Sequence, residues 1–422
     1  MKRYESYKDS GVKWLGEIPG HWEVLPLKYI FKLQKKLVGR NSNKYKLLSL
    51  TLQGIKVRDL ENPTGKFPSS FDSYQIVEPG DFIFCNFDNE ETPRAVGQSR
   101  FKGMITGAYD VFGVNNNNMD SNYLLYYCLY IDDAKRFKPL YKGLRKTIPF
   151  DSFMSYKIAI PPKAEQTAIA NYLDSVTSKI DEAISQQQKM IDLLNERKQI
   201  IIQNAVTKGL DPNAKMKDSG VEWIGEIPED WEVKRFRFLF KEKNERNRLI
   251  KERKQLQFKM GNIVLKDRQD LTNEMINVIS NYNIVKPGHI VLNGLNLNYD
   301  FVSQRIALVK ERGIITSAYI CIESINDINT SYYCYFMKAM DSKKLFHGMG
   351  SGIRLTLSYD NLKNLFFPYP SINDQIEIVK YLDSVSSKID SSISQCNKMI
   401  SLLQERKQII INDVVTGKVK VI

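Results

Sequence analysis

The sequence is written twice. Lys8 to Val24, KDSGVKWLGEIPGHWEV, returns 209 residues later as Lys217 to Val233, KDSGVEWIGEIPEDWEV, with 13 of 17 positions identical. Tyr172 to Ile202 returns at the same shift as Tyr381 to Ile411, with 24 of 31 identical. What lies between these blocks barely matches. A chain that keeps its frame duplicated while its inserts diverge predicts one scaffold presenting two different surfaces.

Composition limits what those surfaces do. At 422 residues, 42% hydrophobic and 26% charged, the chain is expected to form two or three globular domains. The N-terminal stretch has no apolar run of signal-peptide length, and no segment approaches the roughly 20 apolar residues that span a bilayer. The expectation is a cytoplasmic protein. Cys85, Cys128, Cys321, Cys334 and Cys396 form no CxxC pair and are odd in number, so reduced, mostly buried thiols are expected. None of the three histidines, His21, His289 and His347, recurs at the 209-residue shift. This excludes a His-based metal or nucleophile site common to both halves.

Net charge is +13, but the strongly repeated segments do not carry it. Lys163 to Lys208 balances six basic against six acidic residues, and Ile372 to Val415 sets five basic against six acidic. The cationic excess therefore lies on the rest of the chain. That distribution points to an anionic polymer as ligand, because Lys and Arg neutralising phosphates supply sequence-independent affinity.

Each half runs from its Trp-containing block through about 130 residues of β-like character into a long helix. YQIVEPGDFIF (Tyr74 to Phe84) and YNIVKPGHIVL (Tyr282 to Leu292) each set Pro-Gly between two strand-like runs. They align at a shift of 208, while Tyr109 in TGAY and Tyr319 in TSAY align at 210. The two middles are thus expected to share a fold and differ in surface.

The helices show a four-three spacing. Ile169, Leu173, Val176, Ile180, Ala183, Gln187, Met190, Leu194, Arg197 and Ile201 form the predicted seam of the first. Ile378, Leu382, Val385, Ile389, Ser392, Cys396, Met399, Leu403, Arg406 and Ile410 form that of the second. Each helix follows a proline, Pro162 or Pro370, with Glu165 or Asp374 where the helix dipole favours an anion, and each closes near a glycine, Gly209 or Gly417. About 40 residues make a rod of roughly 60 Å. If the seams pair with each other, connectivity makes them antiparallel, and a dumbbell with pseudo-twofold symmetry is expected.

The SGVxWxGEIPxxW block, the stretch Pro161, Pro162, Glu165, Gln166, Ile169, and the ERKQ segment near the helix end together resemble the DNA-specificity subunit of type I restriction-modification enzymes. The resemblance covers essentially the whole chain. The second copy keeps Pro370, Gln375 and Ile378 but has Asp374 for glutamate and lacks the second of the paired prolines. The resemblance implies an α+β chain of two tandem mixed α/β target-recognition domains separated by two long helices in an antiparallel coiled coil. The expected segments are residues 1–160 and 210–369 for the domains, and 161–209 and 370–422 for the helices. It further implies double-stranded DNA as ligand, each domain reading one half of a bipartite asymmetric site. Two methyltransferase subunits are expected to dock on the helical frame, with restriction/translocase subunits joining them. S-adenosylmethionine, ATP and magnesium are expected on those partners, and no cofactor or metal on this chain.

No catalytic motif contradicts a non-enzymatic role. The chain offers IPPK and FPYP but no Asn/Asp-Pro-Pro-Tyr/Phe of an adenine methyltransferase, and no GxxxxGK[ST] phosphate cradle. Asp230, Glu232 and Lys234 mimic a nuclease cluster, yet the first copy has His21, Glu23 and Leu25 there. A stand-alone DNA-acting enzyme and a coiled-coil structural adaptor are the alternatives.

Candidate DNA contacts are Arg94, Arg100, Lys102, Asn117 in the run Asn115 to Asn118, Lys142, Arg145 and Lys146 in the first domain. Arg305, Lys343, Lys344 and Arg354 are their counterparts in the second. Arginine bridges phosphates or reads guanine, and asparagine reads adenine. Scaffold or partner-docking candidates are the four tryptophans, Trp14, Trp22, Trp223 and Trp231, with Glu165, Gln166, Arg197, Gln375 and Arg406.

Overall fold

Gly11 and Gly16, at φ 66° and 65°, take left-handed conformations that side chains disfavour and turn the first Trp-containing block back on itself. Strand Tyr7–Asp9 then pairs antiparallel with Glu17–Pro19, and Met216–Asp218 with Glu226–Pro228 in the second copy. The computed structural model describes residues 2–59, 70–259, 261–266, 273–297, 303–350 and 355–421. By its contacts the chain divides into two compact units, residues 1–187 with 398–422, and residues 188–397. The expected segments are thereby regrouped: each unit holds one domain and half of each long helix.

In the first unit, Phe31–Leu33, Asp110–Val114, Phe82–Phe84 and Val96–Gln98 lie side by side in an antiparallel sheet. A second four-stranded sheet orders Gly54–Val57, Lys46–Thr51, Gly103–Ile105 and Gln75–Val77, with one parallel pair between Lys46–Thr51 and Gly103–Ile105. The Glu78-Pro79-Gly80-Asp81 turn joins the sheets, as the sequence predicts. Helix Ser121–Asp133 is capped by Asp120, whose carboxylate accepts from the N–H groups of Asn122 and Tyr123.

The second unit repeats the first sheet with Phe240–Glu242, Ile320–Ser324, Ile290–Leu292 and Ile306–Leu308. Its other strands pair as Leu256–Lys259 with Asn262–Leu265 and Asn283–Val285 with Gly313–Ile315, and a parallel bridge between Gln255 and Ile314 joins the two pairs in the order of the first unit's second sheet. It also holds a short helix, Asn273–Ser280. Helix Thr330–Ser342 is capped by Asn329 in the place of Asp120. The domains thus share their strand order and differ in the residues mounted on it.

The long helices run Lys163–Lys208 and Ile372–Val415. Gly209 and Gly417 stop them at φ 75° and 73°. Within each unit a half of one is antiparallel to a half of the other. In the second unit Lys198 meets Asp390, while Ala205 and Val206 share a core with Ile378 and Leu382. In the first unit Lys407 meets Asp181, and Ile410, Ile411, Val414 and Val415 share a core with Ile169 and Leu173. Each large aliphatic group so buried contributes roughly 1.5–3 kcal/mol.

Beyond Ile180 the seam departs from its predicted positions at two places in the first helix. Ala183 and Ile184 are both half-buried, and inward positions then fall at Gln187, Ile191, Leu194 and Lys198. Met190 and Arg197 turn outward instead, as do Met399 and Arg406 where Ile400 and Lys407 face in. An α-helix has about 3.6 residues per turn, so a 3.5-residue stripe drifts across its surface and the inward face steps by one residue.

Candidate DNA-reading domains and helical frame

Glu165 sits in the first turn of the first long helix and is buried. Its carboxylate accepts from the Tyr4 hydroxyl, from Trp22 Nε1 at 3.1 Å, and pairs with His21 Nε2 at 2.7 Å. Burial, with the Glu165 carboxylate adding to it, pushes the Tyr4 phenol well above its usual range. Trp22 thereby ties the duplicated block to the helix start. Trp14 stacks on Tyr156 at 4.9 Å between ring centres, and Trp223 packs on Phe336. All four tryptophans are therefore engaged in packing within their own units.

Gln166 is a clamp. It donates to the carbonyls of Asn118 at 3.1 Å and Pro161 at 2.9 Å and accepts from the Asp120 N–H at 2.8 Å. Gln375 repeats the arrangement, donating to Pro370 O at 2.9 Å and accepting from Asn329 N at 2.8 Å. Each glutamine fastens the start of a long helix to the cap of the domain helix. The copies differ one residue earlier. Asp374 is shorter than Glu165 by one carbon, and the Trp231 ring meets Tyr332 edge-on at 6.4 Å between ring centres. A cavity of about 610 Å³, lined by Trp231, Asp230, Asp374 and Glu377, opens there.

Two further repeated contacts escape the sequence reading. Tyr126 donates to Asp174 at 2.7 Å, and Tyr335, 209 residues on, donates to Asp383 at 2.6 Å. Asp132 accepts from Ala95 N at 2.8 Å and Asp341 from Arg305 N at 2.7 Å, both carboxylates being buried. Burial pushes the Asp341 carboxyl above its usual range. Recurrence at 209 of Tyr126, Asp132 and Asp174 as Tyr335, Asp341 and Asp383 is the signal that could have found these side chains.

The basic candidates divide by their partners. Arg94 pairs with Asp133 at 2.9 Å and reaches Asp132 at 3.5 Å. Arg100 is exposed, and Lys102 pairs with Glu78 at 2.8 Å. Arg145 pairs with Asp88 at 2.8 Å and covers the Phe87 ring at 4.8 Å. Lys138 and Lys146 both bond Glu90 and hold its carboxyl down to about 2. Lys142 is exposed. Asn117 is exposed on the turn that Gln166 anchors through Asn118 O.

In the second unit Arg305 is buried, 3% exposed, and its guanidinium donates to the carbonyls of Asn293, Leu295 and Asn296. It organises that loop from inside and is not presented at the surface. Lys343 caps helix Thr330–Ser342 with its side chain exposed, and Lys344 follows at φ 60°. Arg354 lies outside the described residues. Glu232 and Lys234 lie on one strand 3.7 Å apart, and Asp230 lines the cavity instead of joining them. No group of three or more His, Cys, Asp or Glu suited to a metal occurs among the described residues. No described helix is long and apolar enough to cross a membrane.

The outward shift of the seam leaves a stripe on each long helix. Met190, Leu193, Arg197 and Ile200 are exposed along one face, and Met399, Leu402, Arg406 and Ile409 repeat them residue for residue. One stripe belongs to each unit. Repeated apolar residues kept in water on a helix face mark a contact surface.

The chain matches the family model for the type I restriction modification DNA specificity domain over residues 105–191 and 228–400, more than half its length, and belongs to that family. It is 24% identical to the putative type I restriction enzyme MjaX specificity subunit of Methanocaldococcus jannaschii, over 98% of both chains. It is 32% identical to the MjaVIII specificity subunit of the same organism, over 31% of this chain and 29% of that one. A chain solved in work on complex assembly and conformational transition of the type I R-M system has the same fold. The TM-score is 0.65 at 13% identity, covering 95% of this chain and 99% of that one. The chain is a DNA sequence-specificity component of a type I restriction-modification system.

Proposed function

We propose that this chain is the non-catalytic reader of a bipartite, asymmetric DNA site, each unit reading one half, and that it recruits two methyltransferase subunits on its helices. The observation that carries the reading is the contrast between frame and insert. The stripe of Met, Leu, Arg and Ile is the same in both units, whereas the sequences between the repeated blocks have diverged on a shared strand order. Identical stripes suit two copies of one partner, and unlike domains suit unlike half-sites. Restriction subunits join the same assembly. S-adenosylmethionine, ATP and magnesium belong to the partners, and the adenine is flipped and methylated there.

The test is domain exchange. Replacing residues 25–155 with the corresponding part of another family member and mapping methylated adenines should change one half of the target and leave the other intact. Target preference that is unchanged, or lost altogether, would count against modular reading. Turnover of DNA by the purified chain alone would overturn the non-catalytic assignment.

A further inference from the structure

The turn Lys142 to Thr147 carries the most exposed large apolar side chain among the described residues: Leu144, at 102%, is as open as in an isolated peptide. A single surface leucine ordinarily needs no explanation. This one differs in how it is held, in its recurrence and in its neighbours.

The turn is braced from several sides. Lys142 and Thr147 exchange both backbone hydrogen bonds at 2.9 Å, and Gly143 and Lys146, at φ 68° and 45°, reverse the chain between them. The Asp88 N–H donates to Arg145 O at 2.7 Å, while the Arg145 side chain bonds the Asp88 carboxylate and lies over Phe87. Ile148 N donates to Asn86 O at 2.8 Å. A non-glycine residue at positive φ is strained and persists only where its surroundings enforce it. The Leu144 side chain is thus held out by a built support.

Gly143-Leu144-Arg145-x-Thr147 recurs as Gly352-Ile353-Arg354-x-Thr356 at the 209-residue shift, inside regions that otherwise diverged. Residues 352–354 lie outside the described residues, but their sequence keeps an aliphatic group between glycine and arginine. In the first unit Lys142 and Arg145 flank the tip and both remain exposed. A rigid aliphatic tip between two cations matches a nucleic-acid groove, where cations meet phosphates and an apolar wedge enters a base step.

We propose that Leu144 is an apolar wedge that enters the DNA half-site read by the first unit and partly unstacks one base step. This rests on the DNA-reading role above. Unstacking costs a few kcal/mol per step, and a base must leave the stack before a partner can act on it, so the wedge would lower what the partner must supply.

The test uses the complete complex on duplexes carrying 2-aminopurine at successive positions of the first unit's half-site. Wild type should raise the fluorescence at one step. Leu144→Ala should abolish that rise and weaken specific binding by about tenfold, with the salt dependence unchanged because no phosphate contact is lost. Leu144→Met should restore the signal. With the side chain wholly exposed, these substitutions leave the packed interior alone. The same fluorescence pattern in wild type and Leu144→Ala would overturn the wedge. So would loss of methyltransferase binding by Leu144→Ala in the absence of DNA, which would make the tip a protein contact. If the unsubstituted complex showed no sequence preference, the DNA-reading role itself would fall and the wedge with it.

Discussion

Lys198 donates to both carboxylate oxygens of Asp390 at 2.7 Å, and Lys407 does the same to Asp181 at the same distance. Lys407 is the repeat of Lys198, and Asp390 is the repeat of Asp181. One interaction is therefore made twice with the partners exchanged between helices, once in each unit. Both aspartates are more than half exposed, so each pair contributes at most about 1 kcal/mol, and its larger effect is on register. Lys198→Glu places like charges together and is expected to lower the thermal midpoint. Adding Asp390→Lys should recover most of the loss, whereas a double variant no better than the single would show that the pair is not coupled.

Leu193→Asp places a charge in one exposed stripe without entering a core. Native mass measurement of the complex should then show one methyltransferase subunit in place of two, and Leu193→Asp with Leu402→Asp should show none. Retention of two subunits by the double variant would move docking away from these stripes.

The glutamine clamps should be costly to remove. Gln166→Ala leaves the Asp120 N–H and the Pro161 and Asn118 carbonyls unpaired around a buried site, a loss of roughly 2–3 kcal/mol in urea unfolding. Gln375→Ala should cost the second unit a similar amount. A change below about 0.5 kcal/mol in either would mean that water replaces the side chain without penalty.

His289 gives the second unit an acid sensitivity. The ring is buried, with Nε2 3.6 Å from the Glu323 carboxylate and with Lys243, Lys286 and Glu245 nearby. Burial holds its pKa below the ordinary 6.5, because the protonated ring is poorly solvated. The unfolded chain therefore takes up the proton first on acidification. The contribution of the neutral ring is fully present above about pH 6.5 and is lost as pH falls toward the folded pKa. Hydrogen exchange of residues 283–292 should quicken between pH 7 and 5, after correction for intrinsic rates. His289→Gln should flatten that trend, and an identical trend in the variant would assign it to carboxylates.

Features set by local spacing were legible in the sequence. The helix starts after Pro162 and Pro370, the stops at Gly209 and Gly417, and the Pro-Gly turns between strands all depend on near neighbours. The seam was legible except at Met190, Arg197, Met399 and Arg406, because a small mismatch between 3.5 and 3.6 residues per turn accumulates with length. Which of Met190 and Ile191 faces in is then settled by the opposing helix. The basic residues were least legible. Arg94, Arg145 and Arg305 look alike in sequence, yet two are paired with aspartates and the third is buried among carbonyls. Those partners lie far along the chain and carry no local signature.

The Gln166 and Gln375 clamps have a consequence for inheritance. An exchanged domain need not fit an entire scaffold. It must present the backbone N–H of its helix-cap residue to the glutamine, and a tyrosine to Asp174 or Asp383. Fittings so few let a gene trade one specificity for another by recombination within the flanking repeats, keeping the joints while the reading surface is replaced.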